Sequence, residues 1–292
     1  MTIHIRRVSP ARSTPEYAEH EASMENGTPE PNVDRPNSAR LYDVFLGGSH
    51  NTAADRELAE RIRQRAPRWS LGAQLNRSFL RCAVRYMASQ GIDQFLDLGS
   101  GIPTVGNVHE IAAQHNPHSR VVYVDYETIA YNTSRAELAD NPNVTILKED
   151  LRDPEAVLNH PETLELLDFS RPVGLLIVGV LLFIGPQDKP GDLVATYRSR
   201  LTSGSYLALS QASDDNLPAD LQAEIDQVVA SYEHADEQLV LRSYEEVAGW
   251  FAGTELVEPG IVHYPDWSPA QQALDDYQRS CRYGYVGVGR VP

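Results

Sequence analysis

Five residues between positions 97 and 150 are spaced as a set that could hold a ligand: Asp97, Gly99, Gly101, Asp125 and Asp150. In FLDLGSGIPTVG (95–106) a short apolar run carries Asp97 near its end, and two glycines then flank Ser100. Glycine turns tightly and lets a ligand come close to the backbone. The helix expected after such a loop offers unpaired N–H groups and the positive end of its dipole. Asp125 ends the next apolar run, VVYVD, where an acid accepts hydrogen bonds from both hydroxyls of a ribose. Asp150, in KEDLRD just past NVTIL, can accept the exocyclic amine of an adenine. Three acids at three successive strand ends outline an adenosine, with Ser100, Tyr126 and Leu151 as adjoining contacts.

The loop also discriminates between adenosine cofactors. A dinucleotide site wants G-x-G-x-x-G, so that the backbone cradles a pyrophosphate. Here Thr104 stands at the third glycine position, with Pro103 before it. Asp97 would repel a pyrophosphate and attract an ammonium group. A cofactor with adenosine at one end and an amino acid at the other, S-adenosylmethionine, meets both conditions.

The elements that must position these residues alternate along the chain. QFLDLG, VVYVD, NVTIL, the apolar run GLLIVGVLLFIG (174–185) and SYLALSQ read as strands, each followed by a helical pattern. That alternation predicts an α/β fold with a parallel sheet and helices on both faces, and ligands in such sheets bind beyond the carboxyl ends of the strands. Before the sheet, residues 53–66 and 74–91 have helical periodicity, the second presenting Leu75, Phe79, Leu80, Ala83 and Met87 on one face. LYDVFLGGSHN (41–51) reads as a loop with a double glycine. ELVEPGIVHY and RYGYVGVG supply two last strands, and PDWSP reads as a packed turn anchored by Trp267. The organisation expected is a disordered tail over 1–34, an N-terminal motif with helices over 35–92, and the cofactor-binding domain over 93–292.

Composition bounds the partners. The 292 residues include 41% apolar side chains, enough for a sizeable core, and a formal net charge of −16. That charge disfavours nucleic acid, whose sequence-independent binding runs on Lys and Arg at phosphates, and disfavours anionic membranes. No run approaches the ~18 apolar residues of a membrane span. A cytoplasmic protein with a small-molecule partner is the expectation. The two cysteines, Cys82 and Cys281, form no disulfide framework or zinc motif, and no metal is expected.

LDLGSGIP, VVYVDYE and EDLRDP resemble the class I S-adenosylmethionine-dependent methyltransferases. The resemblance is closer to one family, the actinobacterial S-adenosyl methyltransferases formerly described as a domain of unknown function. It is carried by NSARLYDVFLGGSHNTAADRE (37–57), GSGIPTVGNVHEIA (99–112), PVGLLIVGVLLFI (172–184), ELVEPGIVHYPDWSP (255–269) and YVGVGR (285–290), and spans roughly residues 35 to 290. It implies a Rossmann-like, seven-stranded, mostly parallel sheet in the order 3-2-1-4-5-7-6, the last strand antiparallel, with an N-terminal helical extension. It implies the cofactor across the ends of the first four strands, and it implies no particular acceptor. Gly179 departs from the pattern, falling where a fourth-strand side chain would pack.

The segment 40–51 reads as a lid over the cofactor, with Tyr42 and Gly48 as contacts, or as a structural loop in which Arg40 pairs with Asp43. Methyl transfer needs alignment of nucleophile and methyl, exclusion of water and sometimes a base. His50, Asp43 and His109 are candidates for that base. Three other readings use the same residues: a cofactor-binding regulator or pseudoenzyme, a non-methylating enzyme that uses the sulfonium, and a nicotinamide-dependent oxidoreductase.

Overall fold

In the computed structural model, which describes residues 33–103, 106–233, 235–267 and 274–292, the alternation becomes a single sheet. Its strands are β1 (Gln94–Leu98), β2 (Arg120–Val124), β3 (Val144–Leu147), β4 (Gly174–Ile177), β5 (Tyr206–Ala212), β6 (Glu255–Leu256), β7 (Val262–His263) and β8 (Gly284–Arg290). The order is β3-β2-β1-β4-β5-β8-β6, with β7 also on β8. β1 to β5 run parallel, and β8 runs antiparallel beside β5 from Tyr206–Arg290 to Ala212–Gly284. The sixth strand of the expected topology is therefore two short pieces, β6 and β7, separated by the turn over 257–261 and both antiparallel to β8. Counted as one edge, they give the expected 3-2-1-4-5-7-6.

The pleat sorts β1 by face. Leu96 and Leu98 join the apolar cluster on one side of the sheet, and Phe95 joins the cluster on the other. A period of two puts Asp97 on the Phe95 side. The helix α3 (Pro67–Ser89) covers that side. Its predicted stripe of Leu75, Phe79, Leu80, Ala83 and Met87 is buried. Met87 Sδ and the Phe95 ring crowd Gly174 so closely that a Cβ there would lie 2.6 Å from Phe95 Cδ1. Trp267 packs edge-on to Phe79, with ring centroids 5.2 Å apart.

Two expectations are corrected. The segment 41–51 is not a loop throughout. Ser38–Leu46 forms a helix, α1, capped by Asn37, whose Oδ1 accepts from the Ala39 N–H at 2.9 Å. Gly47, in the left-handed region at φ 80°, ends it. Only residues 47–52 remain loop before α2 (Ala53–Arg65). Gly179 also lies beyond β4 rather than in it, at φ 74°. A Cβ there would sit 2.7 Å from Asn76 Nδ2, so both the conformation and the close approach of α3 require glycine.

Residues Val33–Pro292 form one compact unit, so the helices of 35–92 belong to the same body as the sheet. The tail expected over 1–34 lies, up to residue 32, outside the described residues. Arg40, not paired with Asp43 as one reading of the sequence had it, ties α1 to that body. Its side chain is 2% exposed, with Nε 2.8 Å from Asp55 Oδ2 and Nη1 2.9 Å from Glu127 Oε1. Asp55 also accepts from the Asn37 N–H at 3.0 Å and the Thr52 N–H at 2.7 Å. Glu127 caps the helix Thr128–Leu138 through the Ala130 N–H. Removing one member of such a buried set leaves uncompensated charge, which costs about 3–5 kcal/mol. Arg40→Met is accordingly expected to lower unfolding free energy by about that much in urea titration. A midpoint matching the parent's would contradict the role given to this network.

Candidate active site

The glycine loop is shaped by backbone geometry. Gly99 and Gly101 have φ of 70° and 65°, the left-handed region that side-chain-bearing residues avoid. The Gly99 and Ser100 N–H groups donate to the Val124 carbonyl at 2.8 and 3.1 Å, which folds the chain over the end of β2. A Cβ on Gly99 would overlap Val180, 2.3 Å from Cγ2, so the loop and the segment after β4 are in direct contact. The Gly101 N–H donates to Asp125 Oδ2 at 2.7 Å, and the Glu127 N–H donates to Asp125 Oδ1 at 2.9 Å. Asp125 therefore joins the loop to the end of β2 while each oxygen keeps a lone pair. Burial raises its pKa to about 6, against the lowering effect of those two N–H groups.

Beyond the strand ends opens a cavity of about 480 Å³. Asp97, Gly99, Ser100, Gly101 and Asp125 line it, as do Tyr126, Asp150, Leu151 and Tyr42. Nine of the ten residues expected to hold the cofactor thus surround one space. The tenth, Gly48, does not. It lies against Asp43 beside a separate surface depression of about 550 Å³ that Asp43, His50 and Arg81 also line.

Asp97 is the electrostatic centre of the cavity. It is 4% exposed, and among the described residues no hydrogen-bond donor meets its carboxylate. Burial pushes its pKa up to about 7; the Arg77 guanidinium opposes the rise and Asp125 adds to it. Arg77, on α3, lines the same cavity, and its Nη2 donates to Asn107 Oδ1 at 3.0 Å. Its Nε is buried without a partner among the described residues. Asp150 is half-buried and already held: Arg152 Nε lies 3.0 Å from Oδ1 and 2.9 Å from Oδ2, and Oδ1 also accepts the Arg152 N–H at 2.8 Å. Tyr126 donates its hydroxyl to Glu237, which accepts in turn from Asn37 Nδ2 at 2.9 Å and the Ser38 N–H at 3.0 Å.

The three candidate bases are not brought to this cavity. His50 is exposed on the loop after α1. Asp43 is buried beneath that loop and accepts from Asn51 Nδ2 at 2.8 Å. His109 sits in a hollow behind the glycine loop, its backbone N–H and Nδ1 both at the Tyr123 hydroxyl, 3.0 and 2.9 Å away. Burial lowers its pKa. The part of the N-terminal motif that does reach the cavity is α1 and its cap, through Asn37, Ser38, Ala39 and Tyr42.

Sequence reading missed Arg77 and Glu237. Arg77 had a signal, a charged residue one position from the apolar stripe of a helix rather than opposite it. Glu237 had none, because its partners Asn37 and Ser38 lie at the other end of the chain. Among the described residues no group of three or more His, Cys, Asp or Glu is placed to hold a metal ion, and no helix is long and apolar enough to cross a membrane.

The chain is similar in sequence and fold to proteins of known structure. A protein of Thermobifida fusca described as a candidate methyltransferase is 39% identical in its crystal structure, with a TM-score of 0.81 over 90% of this chain and 97% of its own. A DUF574-family protein from Streptomyces avermitilis is 34% identical, with a TM-score of 0.83 over 89% of this chain and 99% of its own. No curated protein matches the chain. The family described as S-adenosyl methyltransferase matches residues 25–292. The chain belongs to that S-adenosyl methyltransferase family, as an enzyme whose methyl donor is S-adenosylmethionine.

Proposed function

We propose that the 480 Å³ cavity holds S-adenosylmethionine, its amino-acid end at Asp97 and its adenosine at Asp125 and Asp150, and that the methyl group goes to a small-molecule acceptor. The observation that carries this reading is Asp97. A buried carboxylate with no hydrogen-bond donor costs free energy unless a cation arrives, and the donor's ammonium is such a cation. Arg77, with a buried N–H to spare, then faces the donor's carboxylate. Asp125 takes the ribose hydroxyls on its remaining lone pairs, and Asp150, steadied by Arg152, takes the adenine amine. Leu151 supplies apolar surface to the base, and Gly99, Ser100 and Gly101 let the ligand lie against bare backbone.

When bound, the donor presents an electrophilic methyl on a positively charged sulfur. The protein's work is then to align the acceptor, keep water out and let a proton leave. None of His50, Asp43 and His109 lines the cavity, so the reading assigns no general base. The net charge of −16 supports a small acceptor over a nucleic acid. Incubating the protein with donor labelled on the methyl group and fractionated small molecules from the native host tests transfer directly. Label in a low-mass product is expected. Cofactor bound with no label moved would instead identify a regulator.

Two predictions follow from the residues. Asp125→Ala should weaken S-adenosylhomocysteine binding by roughly ten- to hundredfold, since a hydrogen bond to a charged group is worth about 1.5–3 kcal/mol. Calorimetry would show this with an unchanged circular dichroism spectrum, and an unaltered Kd would move the ribose elsewhere. The second concerns pH. Asp97 must be ionised to pair with an ammonium, and burial holds its pKa near 7. Below that pH, binding must first remove its proton, so affinity should fall by up to about tenfold per pH unit as pH drops from 7 to 6. It should level off above about pH 8. Asp97→Asn should bind weakly and with a flat profile over this range. A parent protein whose affinity is the same at pH 6 and pH 8 would remove Asp97 from the ammonium site.

A further inference from the structure

A second chamber, of about 50 Å³, lies behind the polar cavity. The two share a wall of Ser38, Tyr42, Gly179 and Phe183. The chamber's other rings include Phe45, Trp69, Tyr232 and Tyr283, and among the described residues no Asp, Glu, Lys, Arg or His lines it. Phe183 stands 5.7 Å from the Tyr232 ring, and Trp69 5.8 Å from the Tyr283 ring, centroid to centroid. The hydroxyls are largely spoken for. Tyr42 donates to the Ala73 carbonyl at 3.1 Å and Tyr283 donates to Glu224 at 2.7 Å.

One polar atom is left over. Asn76 is 5% exposed and lines the chamber; its Nδ2 donates to the Tyr42 hydroxyl at 3.1 Å, and its Oδ1 is buried with no partner among the described residues. A buried carbonyl oxygen without a donor is destabilising. Asn76 stands at the shared wall, its Nδ2 against both Tyr42 and the bare backbone of Gly179.

We propose that this chamber is the acceptor subsite, and that it takes an uncharged aromatic compound whose O–H or N–H donates to Asn76 Oδ1. The inference rests on the reading that places the methyl donor in the polar cavity. Ring walls favour a flat apolar ligand, the lack of charge among the described lining residues disfavours an ionised one, and the orphan oxygen selects a donor group. The chamber is smaller than the about 150 Å³ apolar cavity that takes up benzene. The acceptor ring therefore spans the shared wall, with its substituent at the junction. In transfer, the substituent's lone pair forms the new bond to the methyl carbon while the carbon–sulfur electron pair stays on sulfur. The displaced proton passes to water in the polar cavity.

Phenol, aniline, toluene and benzoate, titrated by calorimetry into protein saturated with S-adenosylhomocysteine, test this. Phenol and aniline should bind about tenfold more tightly than toluene, and benzoate should not bind. Asn76→Ala should bring phenol and toluene to parity. Gly72→Leu, which projects from α3 into the chamber, should abolish binding of both, with the homocysteine derivative's own titration as control for folding. Equal affinity of phenol, toluene and benzoate would overturn the proposal, as would a preference for phenol that survives Asn76→Ala. If S-adenosylhomocysteine itself fails to bind the parent protein, the donor site is misplaced and the acceptor subsite falls with it. If it binds while no aromatic does, only the acceptor subsite is wrong.

Discussion

The guanidinium of Arg40 is the tie on which the rest of the site depends. It reaches from the N-terminal helix α1 to two carboxylates in different parts of the chain, Asp55 at the start of α2 and Glu127 just past β2. Glu127 is not a passive partner. Its backbone N–H holds Asp125 Oδ1, while Asp125 Oδ2 holds the Gly101 N–H. A chain of contacts thus runs from α1 through Arg40 and Glu127 to Asp125 and the glycine loop. Whatever sets α1 on the sheet also sets the side chains around the cavity. Burying three charges for this is expensive unless every lone pair and proton is used, and Asp55 accepts from Asn37, Thr52 and Arg40 together.

The cavity then divides its labour by polarity. At the glycine loop and β1 it has a buried acid, Asp97, beside a buried base, Arg77. At the ends of β2 and β3 it has Asp125 and Asp150, both already oriented by backbone N–H groups. Behind Tyr42 and Gly179 it gives way to rings without charge. Gly179 marks the boundary. Its left-handed backbone and missing side chain admit Asn76 from α3 to the wall between the polar and apolar spaces.

Much of this was legible in the sequence, and the reasons differ by residue. The strand ends were readable because Asp97, Asp125 and Asp150 stand near, at or just past the ends of apolar runs, and a parallel sheet brings such ends together whatever the loops do. The stripe from Leu75 to Met87 was readable because a helix repeats locally. The segment 41–51 was misread as loop because its glycines, His50 and Asn51 drew the eye, although LYDVFL before them carries helical spacing and Asn37 a cap. The partners of Arg40 were illegible for another reason. Asp43 is nearer in sequence than Asp55 or Glu127, and only the packing of α1 across α2 and β2 decides among them. The roles of Asn76 and Glu237 depend on contacts between distant parts of the chain that no local pattern encodes. The three proposed bases were chosen by residue type alone, and none lines the cavity.

The central claim is the orientation of the methyl donor across the strand ends. A crystal structure of the protein with S-adenosylhomocysteine tests it most directly. The ligand's amino nitrogen is expected within hydrogen-bond distance of the Asp97 carboxylate, its ribose hydroxyls on Asp125 and its adenine beside Asp150. A ligand reversed in the cavity, with its amino-acid end at Asp150, would contradict the account. So would a ligand seated in the depression beside His50 and Gly48.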